Sequence, residues 1–183
     1  MAKRRLVTIF ADASCAPDGG PAGWGCWIKD DALEHSIIRG GAFKLPVESV
    51  VHAELAALAN AVFIWSRIVQ DTRAIVMLQS DCLNALACIR KELKAIDTPG
   101  KGNIKSHPVP IRRTPVPKGC KQPIGMLRSI NDAVYIVRHV KGHTKRTEGR
   151  YWVNRRCDQL AKEGRQKALK ALSNVVPLRK SVG

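Results

Sequence analysis

Four carboxylates stand where acids are costly or conspicuous: Asp12, Glu54, Asp81 and Asp158. Asp12 follows the apolar run LVTIF, at the point where a strand leaves the core, a position that commonly faces the functional cleft of an α/β fold. An Asx-turn at a strand end would use the same residue. Glu54 is the only charged residue between Ala53 and Ser66, so it either looks inward at a high desolvation cost or snorkels from the margin of an apolar face. Asp81 closes AIVMLQS and opens the next helical pattern, where a helix cap is the competing role. Asp158 lies one helical turn after Asn154, among Arg155, Arg156, Lys162 and Arg165, and an i,i+4 ion pair with Lys162 is the plain alternative. If the four converge, mutual repulsion protonates them unless a cation lies between. Hard oxygen ligands with no His/Cys cluster suit Mg²⁺ or Mn²⁺ rather than zinc.

The elements that must position these acids follow from periodicity. RLVTIFAD, GWGCWIKD after a Gly/Pro-rich turn, and EHSIIRGGAF read as three strands in an antiparallel start. From Ser49 to about Ile68, the residues Val51, Leu55, Leu58, Val62 and Trp65 recur at helical steps, with Ser49 or Glu48 near the cap. RAIVMLQSD predicts a buried strand, CLNALACIRKELK a helix, AVYIVRHV a strand and NRRCDQLAKEGRQKALKAL a closing amphipathic helix. The order is βββαβαβα, an α/β plan in a single domain over residues 1–172. Residues 99–123 hold six prolines, six lysines and arginines and no acid, so a basic insertion at about 97–123 is expected to be a mobile loop able to track phosphates. A flexible tail is expected at 173–183.

Composition narrows the partners. A net charge of +16 and a pI near 10.1 favour nucleic acid over an anionic membrane surface. The six cysteines form no C-x-x-C pair and read as reduced thiols that mostly fill the core. The basic start is followed by too short an apolar run for a signal peptide, and no stretch suits a membrane span, so a cytoplasmic protein is expected.

Taken in order, TIFADASCAPDGGPAGWGCWI, VHAELAALANAV, LQSDCLNAL, VKGHTK and NRRCDQLAKEG resemble the successive signatures of the type-1 ribonuclease H family, over roughly residues 6–168. The resemblance implies a ribonuclease H-like α/β fold with a five-stranded mixed sheet. It places the acidic quartet on Asp12, Glu54, Asp81 and Asp158 and a loop histidine, for proton shuttling or product release, on His143. It also implies two-metal hydrolysis of the RNA strand of an RNA–DNA hybrid, with two Mg²⁺ ions or Mn²⁺, leaving a 5′-phosphate and a 3′-hydroxyl. Ser14 and Cys15 match the first motif. The basic insertion, with Lys118 and Lys121, lies where bacterial members carry a substrate-binding protrusion. Lys141, Lys145, Arg146, Asn154 and Arg155 flank the last acid as candidate phosphate contacts, and Trp152 is a candidate for base stacking.

The sequence departs from the family in two respects. Extra residues separate His143 from Asp158, and Val50 and Leu83 stand where bacterial members carry hybrid-reading amides. Branched DNA is therefore the alternative substrate, and a non-catalytic nucleic-acid-binding module is a third reading. His35, His52, His107 and His139 have no motif around them.

Overall fold

The computed structural model describes residues 4–98, 107–142 and 149–175. Three strands come first: β1 (Arg5–Ala16), β2 (Gly19–Asp30) and β3 (Ile37–Ala42). After them come α1 (Val50–Ile68), β4 (Ala74–Ser80), α2 (Leu83–Leu93), β5 (Ile96–Asp97), a 3₁₀ turn at Lys118–Cys120, α3 (Lys121–Arg128), β6 (Val134–His139) and α4 (Arg150–Val175). The sheet order is β3-β2-β1-β4-β6-β5. β1 pairs antiparallel with β2, and β2 with β3, while β1–β4, β4–β6 and β5–β6 are parallel.

Alternation along the strands divides the core between two faces. Val7, Ile9 and Ala11 of β1, with Val76 and Leu78 of β4 and Val137 of β6, pack against the Leu55, Leu58, Val62 and Trp65 stripe of α1. Phe10, on the other face, joins Val140, Val153, Cys157 and Trp27 beneath α4. Burial of each large aliphatic or aromatic side chain contributes roughly 1.5–3 kcal/mol, so the α1 stripe anchors one face of the sheet firmly. Ser49 caps that helix, its Oγ accepting from the His52 amide at 3.2 Å.

Glycines set how closely α4 approaches β2. A Cβ on Gly23 would lie 2.1 Å from the Ala161 carbonyl oxygen, and one on Gly25 would lie 2.3 Å from that of Cys157. On the helix side, a Cβ on Gly164 would lie 2.1 Å from the carbonyl oxygen of Gly41. The repeated glycines of GWG and RGGAF are thus contact points, and the turn before β2 is only Pro17–Asp18.

Four expectations need correction. The sheet has six strands among the described residues, because Ile96–Asp97 adds an edge pair too short to show a period. The stretch from 107 to 123 is packed rather than loose: Val109 and Cys120 are fully buried, the Val109 amide donates to Asp97 Oδ2 at 3.0 Å, and Lys91 Nζ donates to the Thr114 carbonyl. The helix α3, with Ile124 and Leu127 in the core, also begins inside it. Pro123 is accommodated in the first turn of α3, where its missing N–H costs little. Finally, α4 takes in Arg150–Val153 at its start and runs through Val175, past the expected boundary at 173, and residues 176–183 lie outside the described residues. Residues 99–106 of the insertion lie outside the described residues.

Candidate active site

β1 and β4 run parallel side by side as far as Phe10 and Gln79, and just beyond that pairing they deliver Asp12, still inside β1, and Asp81, just past Ser80, to the same edge of the core. Glu54 arrives from the first turns of α1, which crosses that edge. One carboxylate oxygen from each of Asp12, Glu54 and Asp81 lies within 4.8 Å of the others. Asp12 is 6% exposed and Glu54 4%, so neither acid snorkels.

Hydrogen bonds hold the group in place. The Ala13 amide donates to Asp12 Oδ1 at 2.8 Å and, more weakly, to Glu54 Oε1 at 3.3 Å. Ser80 Oγ donates to Glu54 Oε2 at 3.3 Å and accepts the Cys82 amide at 3.0 Å. The cap position of α2 is therefore Cys82, its amide held by Ser80, and not Asp81. Gly142 closes the other side: a Cβ there would lie 2.0 Å from Asp81 Oδ2.

Burial is the main cause of the unusual protonation here. It pushes the Asp12 carboxyl up to about 7, with the charges of Asp81 and Asp158 adding to the rise. Glu54 is raised well above its ordinary range, again by burial first and then by Asp12 and Asp81. The contrast with Asp30 is informative. Asp30 is equally buried, at 2% exposed, but accepts from Arg5 Nε at 3.0 Å and from Trp65 Nε1 at 2.7 Å. No lysine or arginine among the described residues pairs with Asp12 or Glu54. A clustered, hard-oxygen donor set with that charge deficit fits a divalent cation such as Mg²⁺ or Mn²⁺.

Asp158 stands apart from the three. Its charge reaches Asp12, but its carboxylate accepts from Lys162 Nζ at 2.7 Å, the i,i+4 pair foreseen as the alternative. Asn154 is only 7% exposed, because α4 starts a turn earlier than its pattern suggests and turns the Tyr151–Asn154–Cys157–Ala161 face to the sheet.

The remaining candidates fall into two groups. Ser14 and Cys15 are half-buried near the end of β1, and Lys118, Lys121, Lys141, Trp152 and Arg155 are exposed. With Lys44, the side chains of Lys118 and Lys121 line a groove of about 970 Å³ beside α1 and α3. His143, Lys145 and Arg146 lie outside the described residues.

Sequence reasoning overlooked His139. It sits at the end of β6, 5% exposed, with Nε2 3.2 Å from the Asp81 carbonyl and Nδ1 3.0 Å from the His107 amide. Only the position of this histidine at a predicted strand end hinted at it.

A mixed sheet with a buried and a half-buried carboxylate at the ends of its parallel pair, joined by a helix acid in a chain with a surplus of bases, is a ribonuclease H-like α/β arrangement. The chain belongs to the RNase H family, whose model matches residues 4–166, and is by that membership a ribonuclease H. Its fold is shared with the N-terminal RNase H domain of Rv2228c from Mycobacterium tuberculosis, solved as a fusion with maltose-binding protein. That match has 15% identity and a TM-score of 0.58, and covers 92% of this chain and 99% of the other. RNase H1 from the archaeon Halobacterium salinarum NRC-1 matches at 17% identity and TM-score 0.57, over 89% and 99% of the two chains. LC11-RNase H1, solved in complex with an RNA/DNA hybrid, matches at 17% identity and TM-score 0.55 over the same shares. A search of curated protein sequences found no match.

Proposed function

We propose that the protein hydrolyses the RNA strand of RNA–DNA hybrids, using two divalent ions, Mg²⁺ or Mn²⁺, and leaving a 5′-phosphate and a 3′-hydroxyl. The observation that carries this reading is the convergence of Asp12, Glu54 and Asp81 within 4.8 Å, in a chain of the RNase H family. Those three residues would hold the metal, and Asp158 would complete the set by leaving Lys162. An exposed i,i+4 pair contributes only about 0.3–0.5 kcal/mol, so this exchange is cheap. Bound there, divalent ions lower the pKa of the attacking water and stabilise the departing 3′ oxygen.

The protein's own groups do the rest. Ser80 and the Ala13 amide fix the Glu54 carboxylate before substrate arrives, which limits reorganisation during reaction. Lys141 and Arg155, exposed beside the acids, and Lys118 and Lys121 on the groove would neutralise backbone phosphates. Trp152, 48% exposed, would stack a base or sugar. His143 follows Gly142 in the sequence, and by its match to the family's loop histidine it would shuttle a proton or ease product release.

One observation favours a second reading. Val50 opens α1 at 43% exposure and Leu83 opens α2, and neither side chain can hydrogen-bond a 2′-hydroxyl. Branched DNA is thus the rival substrate. Digestion of end-labelled hybrid and of a four-way DNA junction, each with Mg²⁺ and with Mn²⁺, decides between them. Hybrid cleavage with the junction intact is expected, and the opposite pattern would transfer the site to branched DNA.

A further inference from the structure

Three residues before Gly142 lies a ring that touches both the insertion and the site: His139, at the carboxyl end of β6. Its partners fix its tautomer. A backbone amide can only donate, so Nδ1, 3.0 Å from the His107 nitrogen, is an unprotonated acceptor. The neutral ring then carries its hydrogen on Nε2, which donates to the Asp81 carbonyl at 3.2 Å. Both ring nitrogens are thus committed, in a side chain 5% exposed, with the His107 ring packed against it at a centroid distance of 5.2 Å.

The two bonds connect segments that are distant in sequence. His107 begins a strap, His107–Val109, that is tied down again when the Val109 amide donates to Asp97 Oδ2 on β5. Asp81 belongs to the carboxylate cluster. We propose that His139 is a positioning residue that pins the Asp81 main chain to this strap, so that the insertion helps to set the geometry of the metal site. The proposal rests on the metal-site reading of Asp12, Glu54 and Asp81. Groups behind metal-bound side chains typically change metal affinity by about 10–100-fold when removed, and a main-chain bond to the ligand residue belongs at the low end of that range.

Two substitutions separate the bonds. An Asn amide oxygen can stand where Nδ1 stands but cannot reach Asp81, whereas a Gln amide nitrogen can stand near Nε2 and donate to the carbonyl. Mn²⁺ binding to the full chain without nucleic acid, followed by electron paramagnetic resonance, should be about tenfold weaker both in His139→Asn, which loses the Asp81 bond, and in His139→Gln, which keeps that bond but lets go of the strap. Thermal melting monitors folding of both. Folded His139→Asn protein that binds Mn²⁺ like the wild type overturns the positioning role, and folded His139→Gln protein that does so overturns the part given to the insertion. If the variants do not fold, the long-range ¹H–¹⁵N spectrum of the wild-type imidazole decides: the Nε2–H form is expected, and the Nδ1–H form overturns the proposal. Wild-type protein that binds no Mn²⁺ would defeat the metal-site reading itself, and is thereby distinguished from failure of the His139 link alone.

Discussion

At the scale of single residues, the site is a set of acids made uncomfortable by design of their surroundings, and their discomfort can be measured. Asp12 holds its proton up to about pH 7 because burial, then Asp81 and Asp158, oppose its charge. The unfolded chain releases the same proton near pH 4, so the folded state binds more protons between these values and metal-free stability falls as pH rises through that window. Asp12→Asn removes the burden. In EDTA its melting temperature should exceed that of the wild type at pH 8 and match it at pH 4, with a gain on the order of 1–3 kcal/mol at the higher pH. The same variant should lose cleavage while still binding nucleic acid. Equal melting at pH 8 would show that Asp12 carries no such strain. Gly142 makes a second, separable test. Its missing Cβ leaves room for Asp81 Oδ2, so Gly142→Ala should turn that half-buried carboxylate aside and lower turnover by about 100-fold with little change in melting temperature. Turnover within a few-fold of wild type would mean that Asp81 adapts without loss.

At the scale of elements, what could be foreseen and what could not divides by the range of the interactions. The strands, α1, α2 and α4 are legible because their periods are local, and Asp12, Glu54 and Asp81 are legible because each breaks a pattern around it. β5 is too short for a period, and α3 is hidden by the prolines and lysines that precede it, although Ile124 and Leu127 carry its apolar face. His139 escapes notice since its partners lie 58 and 32 residues away, where no local pattern can point. Asp158 shows the limit in the other direction: a helical spacing reveals both the acid and Lys162, but not whether the carboxylate turns to Lys162 or to the other acids. The position of α4 depends on bare backbone against β2. A methyl group on Gly23 would sit 2.2 Å from the Arg165 nitrogen and 2.1 Å from the Ala161 oxygen, both main-chain atoms that cannot swing away. Gly23→Ala should therefore destabilise the fold by about 1–3 kcal/mol, as overpacking does, and should displace Asp158 with the helix. Chemical denaturation checks the first effect. A variant as stable as the wild type would show that α4 slides freely over the sheet.

At the scale of the whole molecule, a small acidic centre sits inside a strongly basic chain of net charge +16, and each part needs the other. The bases draw a polyanion toward carboxylates that would repel it, while the carboxylates recruit the divalent ions that make close approach of a phosphate tolerable. Lys162 on Asp158 is this balance in miniature, a base paired with an acid one helical turn away. The attraction is a counterion effect, so it has a definite salt signature. Each phosphate neutralised contributes about −0.9 to the slope of log K against log salt on a duplex, and a footprint of several phosphates gives a steep line. The Asp12→Asn variant, which should bind without cutting, allows that slope to be measured on intact hybrid by fluorescence anisotropy. Replacing Lys118 and Lys121 on the groove by Ala should make the slope shallower by about 1 to 2, and weaken binding evenly across sequences. An unchanged slope in the double variant would move the nucleic acid off the groove and onto the bases of α4. A slope near zero in the parent would mean that the basic surface does not bind phosphates at all.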